Sequence, residues 1–117
     1  MQAERLAEEV GLPGAQWNTP IAELDGAARA CVRLARALAL GPAILLLEHP
    51  TAAVDRGQVA WLASRIRAVS DGRGAAVVAV TADQVFADAL GGRALQLDPA
   101  TGRMNDRGAP RWFNSPW

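Results

Sequence analysis

Polar residues suited to ligand chemistry directly follow an uninterrupted apolar run at positions 43–47. Glu48 and His49 come first after this run, and Pro50 follows them. Such a run is typical of a strand buried on both faces of a parallel sheet, and these sheets bind ligands beyond the carboxyl ends of their strands. A neutral imidazole at such a position is able to accept a proton. The spacing therefore predicts a functional sheet edge at Glu48 and His49.

A second candidate feature is the start of the helix that precedes this run. Asp25 and Gly26 open an alanine- and arginine-rich segment at 27–40, which Gly41 and Pro42 end. Asp is a good N-cap residue, and a helix N-terminus with little side-chain bulk presents unpaired N–H groups and a positive dipole end. The pattern predicts a helix whose N-terminus faces a phosphate and whose C-terminus leads into the buried strand.

Composition argues against several classes of function. The 117 residues have a formal net charge of zero, and the 12 basic residues are all arginine. A neutral chain without a basic patch argues against nucleic-acid binding and against electrostatic attachment to a membrane surface. Without lysine, the chain has no Gly-x-x-x-x-Gly-Lys-[Ser/Thr] phosphate loop. No secretory signal or membrane-spanning run is evident, so we expect a soluble, cytoplasmic protein without direct membrane insertion.

Hydrophobic periodicity predicts an α/β protein in which helices and strands alternate. Helices are expected at 2–10, 27–40, 59–69 and just after Asp83, and strands at 43–47, 75–80 and 94–97, with 103–104 as a short hairpin partner. We expect residues 44–47 and 77–80 to be adjacent, parallel and buried on both faces. A crossover helix that Gly72 and Gly74 end would join them. From Asn105 onward the sequence shows no period, and a loop is expected.

Two residue types with special chemistry have simple structural explanations. Cys31 lies within the predicted helix 27–40 without a histidine near it in sequence, so we expect a buried core residue rather than a nucleophile. Trp61 adjoins an apolar stripe and is expected in the core or at its boundary. The aromatic residues of the C-terminal tail either cover an otherwise bare surface or contact another subunit. They are Trp112, Phe113 and Trp117.

Short motifs follow one another in a fixed order between residues 23 and 55. Residues 24–28 are Leu-Asp-Gly-Ala-Ala, residues 35–38 are Ala-Arg-Ala-Leu, residues 45–51 are Leu-Leu-Leu-Glu-His-Pro-Thr, and Asp55 follows. This order resembles the signature loop, signature helix, Walker B strand and D-loop of an ATP-binding-cassette (ABC) nucleotide-binding domain. The resemblance implies a parallel-sheet, P-loop-NTPase-like fold. This chain would form its C-terminal portion with flanking helices, without the Walker A half.

The resemblance implies ATP and Mg²⁺ as the ligands of the site. In that family, the signature loop of one cassette faces the γ-phosphate of ATP bound to another, and D-loop and switch-loop residues lie near it. The positions that match these cofactor-binding segments are Asp25, Gly26, Ala27, Asp55 and Thr81. Glu48 stands at the Walker B position that holds Mg²⁺, and His49 at the position of the glutamate that polarises water. Glu48 and His49 are therefore the candidate catalytic residues.

Three positions depart from the family pattern. Asp25 stands in place of the signature serine, and alternatively serves only as a helix N-cap. His49 replaces the catalytic glutamate, and alternatively is a polar edge residue bonded to backbone. Ala82 replaces the histidine of the Thr-His-Asp switch loop and offers no group to a γ-phosphate. Asp55 keeps the D-loop carboxylate, with helix capping as its alternative role.

These assignments divide the chain into two parts. Residues 1–104 are predicted to be the C-terminal part of an ABC-ATPase-like nucleotide-binding domain. Within it, 1–22 would be the tail of the helical subdomain and 23–104 the signature, Walker B and switch region. Residues 105–117 are predicted to be an irregular tail. Met1 would then correspond to the middle of a cassette, with the Walker A motif upstream.

The implied function is that of a partial ATP-binding subunit of an ABC transporter, which couples ATP binding and hydrolysis to membrane transport once a Walker A half completes it. Its partners would be a second cassette and a transmembrane permease, and its location the cytoplasm or the inner face of the membrane. Without a phosphate loop, the chain alone is not expected to be a competent ATPase. The alternatives are a non-catalytic interaction or regulatory cassette fragment that pairs with another ATPase subunit and, third, the head of a DNA-repair ABC ATPase.

Overall fold

Helices and strands alternate along the chain, as the hydrophobic periodicity predicts. The computed structural model describes residues 1–107. The elements in chain order are α1 (Gln2–Glu9), α2 (Gly26–Leu38), β1 (Ile44–Glu48), α3 (Val59–Arg73), β2 (Ala76–Val80), α4 (Gln84–Leu90), β3 (Leu95–Leu97) and β4 (Met104–Asp106). Short 3-10 turns at Gly14–Gln16 and Ile21–Glu23 precede α2, and a third at Arg56–Gln58 precedes α3. The described residues form a small α/β domain.

The two longer strands form a parallel two-stranded sheet. β1 pairs with β2 from Ile44 opposite Ala76 to Glu48 opposite Val80. α3 connects the two strands, since a parallel pair requires a crossover segment. The expectation that the two apolar runs are adjacent and parallel is confirmed. Both strands end at the same edge of the sheet, where the loops that follow them come together.

β3 and β4 form a separate antiparallel hairpin. In the turn between them, the N–H of Asp98 donates to the carbonyl oxygen of Arg103 at 2.8 Å, and the N–H of Gly102 donates to that of Asp98 at 2.8 Å. Gly102 has a φ of +70°, which glycine adopts without steric cost. The turn places Met104 opposite Leu97, so the predicted hairpin is confirmed.

The predicted C-terminal loop begins later than residue 105. Asn105 and Asp106 pair with Gln96 and Leu95 in the hairpin, so the loop prediction is wrong for these two residues. The tight turn before β4 extends the pairing beyond the point where the sequence ceases to alternate. The predictions for Trp112, Phe113 and Trp117 lie outside the described residues.

The helix ends agree with the predicted capping residues at Asp25 and Gly74, but not at Gly72. The Asp25 carboxylate accepts a hydrogen bond from the N–H of Ala28 at 2.8 Å and caps α2. α3 ends at Gly74, whose φ of +64° favours glycine. Gly72 was expected to share in ending α3 but lies within it. One glycine costs a helix only about 1 kcal/mol, which the last turn tolerates.

Arg73, in that last turn, joins the ends of three helices. Its Nε and Nη2 bind the two carboxylate oxygens of Glu9 in α1 at 2.5 and 2.6 Å, and its Nη1 donates to the carbonyl oxygen of Leu38 in α2 at 2.9 Å. The hydrogen bond from Arg73 lowers the pKa of Glu9. A carboxylate bound by both prongs of an arginine fixes orientation as well as distance, so α1, α2 and α3 are held in one arrangement.

The hydrophobic core is shared by the helices and one face of the β1–β2 sheet. α2, α3 and α4 contribute most of its buried side chains, and β1 contributes Leu45. Cys31 is 1% exposed, its Sγ lies 3.4 Å from the carbonyl oxygen of Val10, and burial raises the pKa of its thiol. The expectation of a core cysteine is confirmed. Trp61 is 42% exposed and does not belong to this core, so its expected core position is wrong.

The opposite face of the β1–β2 sheet is uncovered among residues 1–107. Leu46 is 78% exposed and Val80 61%, and Ile44 and Val78 are also more than half exposed, whereas Leu45 is 4% exposed. The prediction that both strands are buried on both faces is therefore wrong. Successive side chains of a strand point to opposite faces, and the helices of the described region pack on only one.

This one-sided burial predicts opposite outcomes for two neighbouring leucines. Leu45→Ala removes core side-chain volume and is expected to lower the free energy of unfolding by about 2–5 kcal/mol. Leu46→Ala, on the uncovered face, is expected to change it by less than about 0.5 kcal/mol. Urea unfolding of the two variants, followed by circular dichroism, tests this. Equal losses in both variants would mean that the second face is covered in solution.

Candidate functional site

The loop that follows β1, residues 49–56, begins at the carboxyl edge of the sheet and is called the β1 loop below. His49 has a φ of +44°, a left-handed conformation in which histidine occurs more often than most non-glycine residues. Its N–H donates to the carbonyl oxygen of Val80, the last residue of β2, at 2.8 Å. The β1 loop therefore starts next to residues 81–83, which follow β2 and are called the β2 loop.

An open, polar pocket lies between these two loops. The side of the β1 loop contributes His49, Thr51, Ala52 and Arg56. The side of the β2 loop contributes Thr81, Ala82, Asp83 and, at the start of α4, Gln84. This is the edge of a parallel sheet at which ligands bind in other α/β proteins.

The Asp83 carboxylate is the most strongly bonded group of the pocket. Its Oδ2 accepts hydrogen bonds from Thr51 Oγ1 and Arg56 Nη1, both at 2.7 Å. Its Oδ1 accepts from Arg56 Nη2 at 3.1 Å and from the N–H of Phe86 at 3.2 Å. The bond to Phe86 confirms that Asp83 caps α4, as the sequence predicts. The other three bonds join the β2 loop to the β1 loop.

These bonds determine the charge of Asp83. Hydrogen bonds from Arg56, and next from Thr51, hold the pKa of the Asp83 carboxyl well below its usual range. The same carboxylate raises the pKa of the Arg56 guanidinium. Each group stabilises the charged form of the other, so the pair stays ionised at neutral pH and contributes no net charge to the pocket.

The N-terminus of α2 lies against the other side of the β1 loop. A Cβ atom on Gly26 would lie 1.6 Å from the carbonyl oxygen of Ala53 and 3.2 Å from the Cα of Val54. Only a residue without a side chain allows this approach of helix and loop backbone. The structure therefore brings the predicted signature segment and the β1 loop into direct contact.

The structure brings some of the predicted site residues together and separates others. His49, Thr81 and Ala82 line the pocket. Gly26 contacts the β1 loop at Ala53, which does not line the pocket. Ala27 is buried in the core, and Asp25 caps α2. Glu48 and Asp55 are exposed and do not line this pocket. Asp55 holds the N-cap position of the turn Arg56–Gln58 without a side-chain capping bond.

The three side chains that bond to one another in the pocket, Thr51, Arg56 and Asp83, were not identified as site residues from the sequence, which predicted Asp83 only as a helix cap. Thr51 is 8% exposed, and its hydroxyl and the Arg56 guanidinium both bind Asp83. The sequence did contain a signal for this site. Thr51 and Arg56 follow β1 and Asp83 follows β2, and the loops that follow adjacent parallel strands meet at one edge of the sheet. The specific pairing depends on the path of the β1 loop, which has no sequence signature.

The described residues hold no ready cluster of metal ligands. No group of three or more histidine, cysteine, aspartate or glutamate side chains within residues 1–107 is placed to hold a metal ion. Glu48 would supply one carboxylate, whereas Mg²⁺ takes six oxygen ligands in octahedral geometry. Arg56, the cation of the pocket, is already paired with Asp83.

The chain is similar to segments of several ATP-binding proteins, although no protein-family model matches it. It is 41% identical over 102 residues, 87% of the chain, to the energy-dependent translational throttle protein EttA of Escherichia coli K12. It is 37% identical over 109 residues, 93% of the chain, to the Fe(3+) ions import ATP-binding protein FbpC of Streptomyces avermitilis. It is also 37% identical over 89 residues, 76% of the chain, to the tylosin resistance ATP-binding protein TlrC of Streptomyces fradiae.

These similarities extend the resemblance beyond the short motifs. FbpC and TlrC are ATP-binding proteins by name, and the chain is similar to a short region of each of the three relatives. It spans 17% of the length of EttA, 31% of FbpC and 16% of TlrC. The two-stranded parallel α/β structure is compatible with a partial ABC ATPase domain. Within the described residues, no helix has both the length and the apolar character needed to cross a membrane.

The contact between Gly26 and Ala53 predicts an effect of adding a single methyl group. Gly26→Ala forces α2 and the β1 loop apart, and we expect it to lower the free energy of unfolding by about 1–3 kcal/mol. Gly57→Ala is the matched control, because nothing lies within 4 Å of its Cβ position, and no loss is expected there. Urea unfolding of both variants provides the measurement. A Gly26→Ala variant as stable as Gly57→Ala would contradict the close approach.

Proposed function

We propose that residues 1–104 are the C-terminal part of an ABC-type ATP-binding domain, which acts together with a segment that supplies the phosphate-binding loop. The observation that supports this most directly is the contact of Gly26 at the start of α2 with Ala53 of the β1 loop. Two segments that resemble the signature and D-loop motifs are thereby adjacent. The similarity to EttA, FbpC and TlrC supports the same assignment independently.

In this proposal, the helix start and the sheet edge have separate tasks. Gly26, at the N-terminus of α2, would offer its backbone N–H group to the phosphates of ATP bound by another cassette, with Asp25 serving as the cap and Ala27 buried behind it. Asp55 and Thr81 would lie beside that nucleotide. Glu48 would supply one oxygen ligand to a nucleotide-bound Mg²⁺, whose remaining ligands come from elsewhere. His49 is the candidate base, and Ala82 contributes no polar group.

Coupling to membrane transport is the first candidate for the role of the completed domain. The name of FbpC describes it as an ATP-binding protein for the import of Fe(3+) ions. A subunit of this kind would work with a second cassette and a permease. It would lie in the cytoplasm or at the inner face of the membrane. A second candidate follows from the similarity to EttA, a translational throttle protein. Cell fractionation with a tagged chain discriminates between them, because sedimentation with membranes favours the first and sedimentation with ribosomes the second.

The isolated chain is expected to bind Mg-ATP weakly or not at all. Phosphates require a cradle of backbone N–H groups or cationic side chains, the chain has no lysine, and Arg56 is engaged by Asp83. Calorimetric titration of the purified chain with Mg-ATP measures this directly. A saturable site with micromolar affinity would contradict the proposed dependence on a second segment.

A chimera with a relative tests whether the chain completes a nucleotide site. The segment of S. avermitilis FbpC that matches this chain is exchanged for the corresponding residues of the chain. We expect the chimera to bind ATP through the host part but to hydrolyse it at least about 100-fold more slowly than FbpC, because His49 and Ala82 replace two water-positioning groups. Phosphate release at saturating Mg-ATP gives the rate.

Three variants of the chimera serve as internal controls. Because groups of one site act as a unit, His49→Glu with Ala82→His is expected to raise the rate more than either change alone. A chimera that already hydrolyses ATP as fast as the double variant would make Glu48 or His49 the working base. A chimera that binds ATP but gains nothing from the double change would favour the non-catalytic cassette. Loss of ATP binding would contradict the proposed function itself.

A further inference from the structure

Asp83 connects two loops that the strand pairing alone does not hold together. Of the four hydrogen bonds that its carboxylate accepts, three come from Thr51 and Arg56, which belong to the β1 loop. The fourth comes from the N–H of Phe86 in the first turn of α4. Each carboxylate oxygen accepts two hydrogen bonds, which fills the usual acceptor capacity of the group.

The two partners of the ion pair differ in their exposure to water. The Asp83 side chain is 10% exposed, whereas the Arg56 side chain is 66% exposed. Thr51, the second donor, is 8% exposed. A carboxylate removed from water loses hydration that only charged or well-aligned donors replace. Arg56 supplies the opposite charge and two of the four hydrogen-bond donors to Asp83. It approaches the carboxylate from the solvent.

We propose that Arg56 is a positioning residue whose ion pair with Asp83 makes the β1 loop and the β2 loop move as one unit. The pair joins the two loops through side chains, and the backbone bond from His49 to Val80 joins the start of the β1 loop to the end of β2. Without Arg56, the loops keep the bond from Thr51 to Asp83 but lose the opposite charge and two of the four hydrogen bonds to the carboxylate. Opening of one loop then no longer requires opening of the other.

This inference goes beyond the proposed function, because it concerns the loops of the chain itself and needs no nucleotide. If the proposed function holds, the ion pair also fixes the separation of His49 from Thr81 and Ala82 across the pocket. Failure of the FbpC chimera to bind ATP would leave the coupling of the loops untouched. Failure of the coupling would likewise leave ATP binding by the chimera untouched.

Amide hydrogen exchange of the purified chain measures the coupling, with one reporter in each loop. The N–H of Val54 donates to the carbonyl oxygen of Thr51 at 3.1 Å in the β1 loop, and the N–H of Asp83 donates to Thr81 Oγ1 at 2.9 Å in the β2 loop. Neither of these hydrogen bonds involves Arg56. Arg56→Gln is expected to accelerate exchange at both amides by up to ~5-fold, the effect of a well-placed but partly exposed ion pair.

A series of variants separates the ion pair from a general loss of structure. Arg56→Lys retains the charge without the two-pronged geometry and is expected to restore part of the protection. Asp83→Asn with Arg56→Gln is expected to exchange no faster than Asp83→Asn alone, because both changes break the same interaction. Arg33→Gln removes an exposed arginine of α2 and is expected to leave both amides unchanged. Arg56→Lys also keeps the test usable if Asp83→Asn fails to fold.

The ionisation of Asp83 reports the ion pair itself, separately from a general loss of structure. The groups that face this carboxyl are Arg56, Thr51 and the N–H of Phe86, and His49 is the other titratable side chain lining the pocket. Arg56→Gln removes the main cause of the low pKa, so the pKa of Asp83 is expected to rise towards the usual carboxyl range. The ¹³C chemical shift of its carboxyl carbon, followed against pH, measures the change.

The direction of the pH effect follows from the lowered pKa. Asp83 stabilises the closed loops above the ordinary carboxyl pKa, and this contribution is lost as the pH falls through the lower pKa of the folded state. In Arg56→Gln, the protection of Val54 and Asp83 should therefore be lost at a higher pH than in the unchanged chain. Two results would overturn the inference: an Asp83 titration unchanged by Arg56→Gln, or faster exchange in the β1 loop with an unaltered β2 loop.

Discussion

The packing of one face of the β1–β2 sheet against the helices positions the rest of the structure. Leu45 enters the core from β1, and Leu34, Leu62, Ile66 and Phe86 reach it from three helices. This burial fixes the two strands side by side and in register. Because parallel strands end at the same edge, their register also determines where the polar loops emerge. The candidate site is therefore a consequence of hydrophobic packing, and the polar contacts refine a position that the core has already selected.

The β1 loop is held from two sides by interactions of different physical kinds. On one side, the absence of a side chain at Gly26 lets α2 approach the carbonyl of Ala53. On the other side, a fully bonded carboxylate at Asp83 binds Thr51 and Arg56. The first is a steric constraint, which salt and pH do not change. The second is electrostatic, and its strength depends on the ionisation of Asp83. Together they leave the loop few alternative paths.

The uncovered sheet face and the missing phosphate-binding lysine are consistent with one functional interpretation. Four apolar side chains, at Ile44, Leu46, Val78 and Val80, are more than half exposed, although strands this apolar belong to sheets covered on both sides. The chain is similar to segments of longer ATP-binding proteins, in which further residues are available to cover such a face. The proposed role as part of a cassette is consistent with both features.

Much of the fold could be predicted from the sequence because it depends on local patterns. The apolar runs before Glu48 and Thr81 indicate the paired strands, Asp25 and Asp83 indicate helix starts, and the turn at 98–102 indicates the hairpin. The hairpin extended beyond its predicted end, since pairing there depends on the partner strand rather than on the sequence period.

The sequence by itself determined the order of the elements, the capping residues and the absence of a phosphate-loop lysine, because each depends on residues close together in the chain or on composition alone. Only the tertiary structure decided which strand face is buried, since Leu45 and Leu46 are chemically alike and differ only in what packs against them. It also decided that Asp83 binds Arg56 across 27 positions and that Gly26 lies against Ala53. Those pairings depend on where two backbone segments that are far apart in sequence meet in space, and local propensities carry no information about that meeting point.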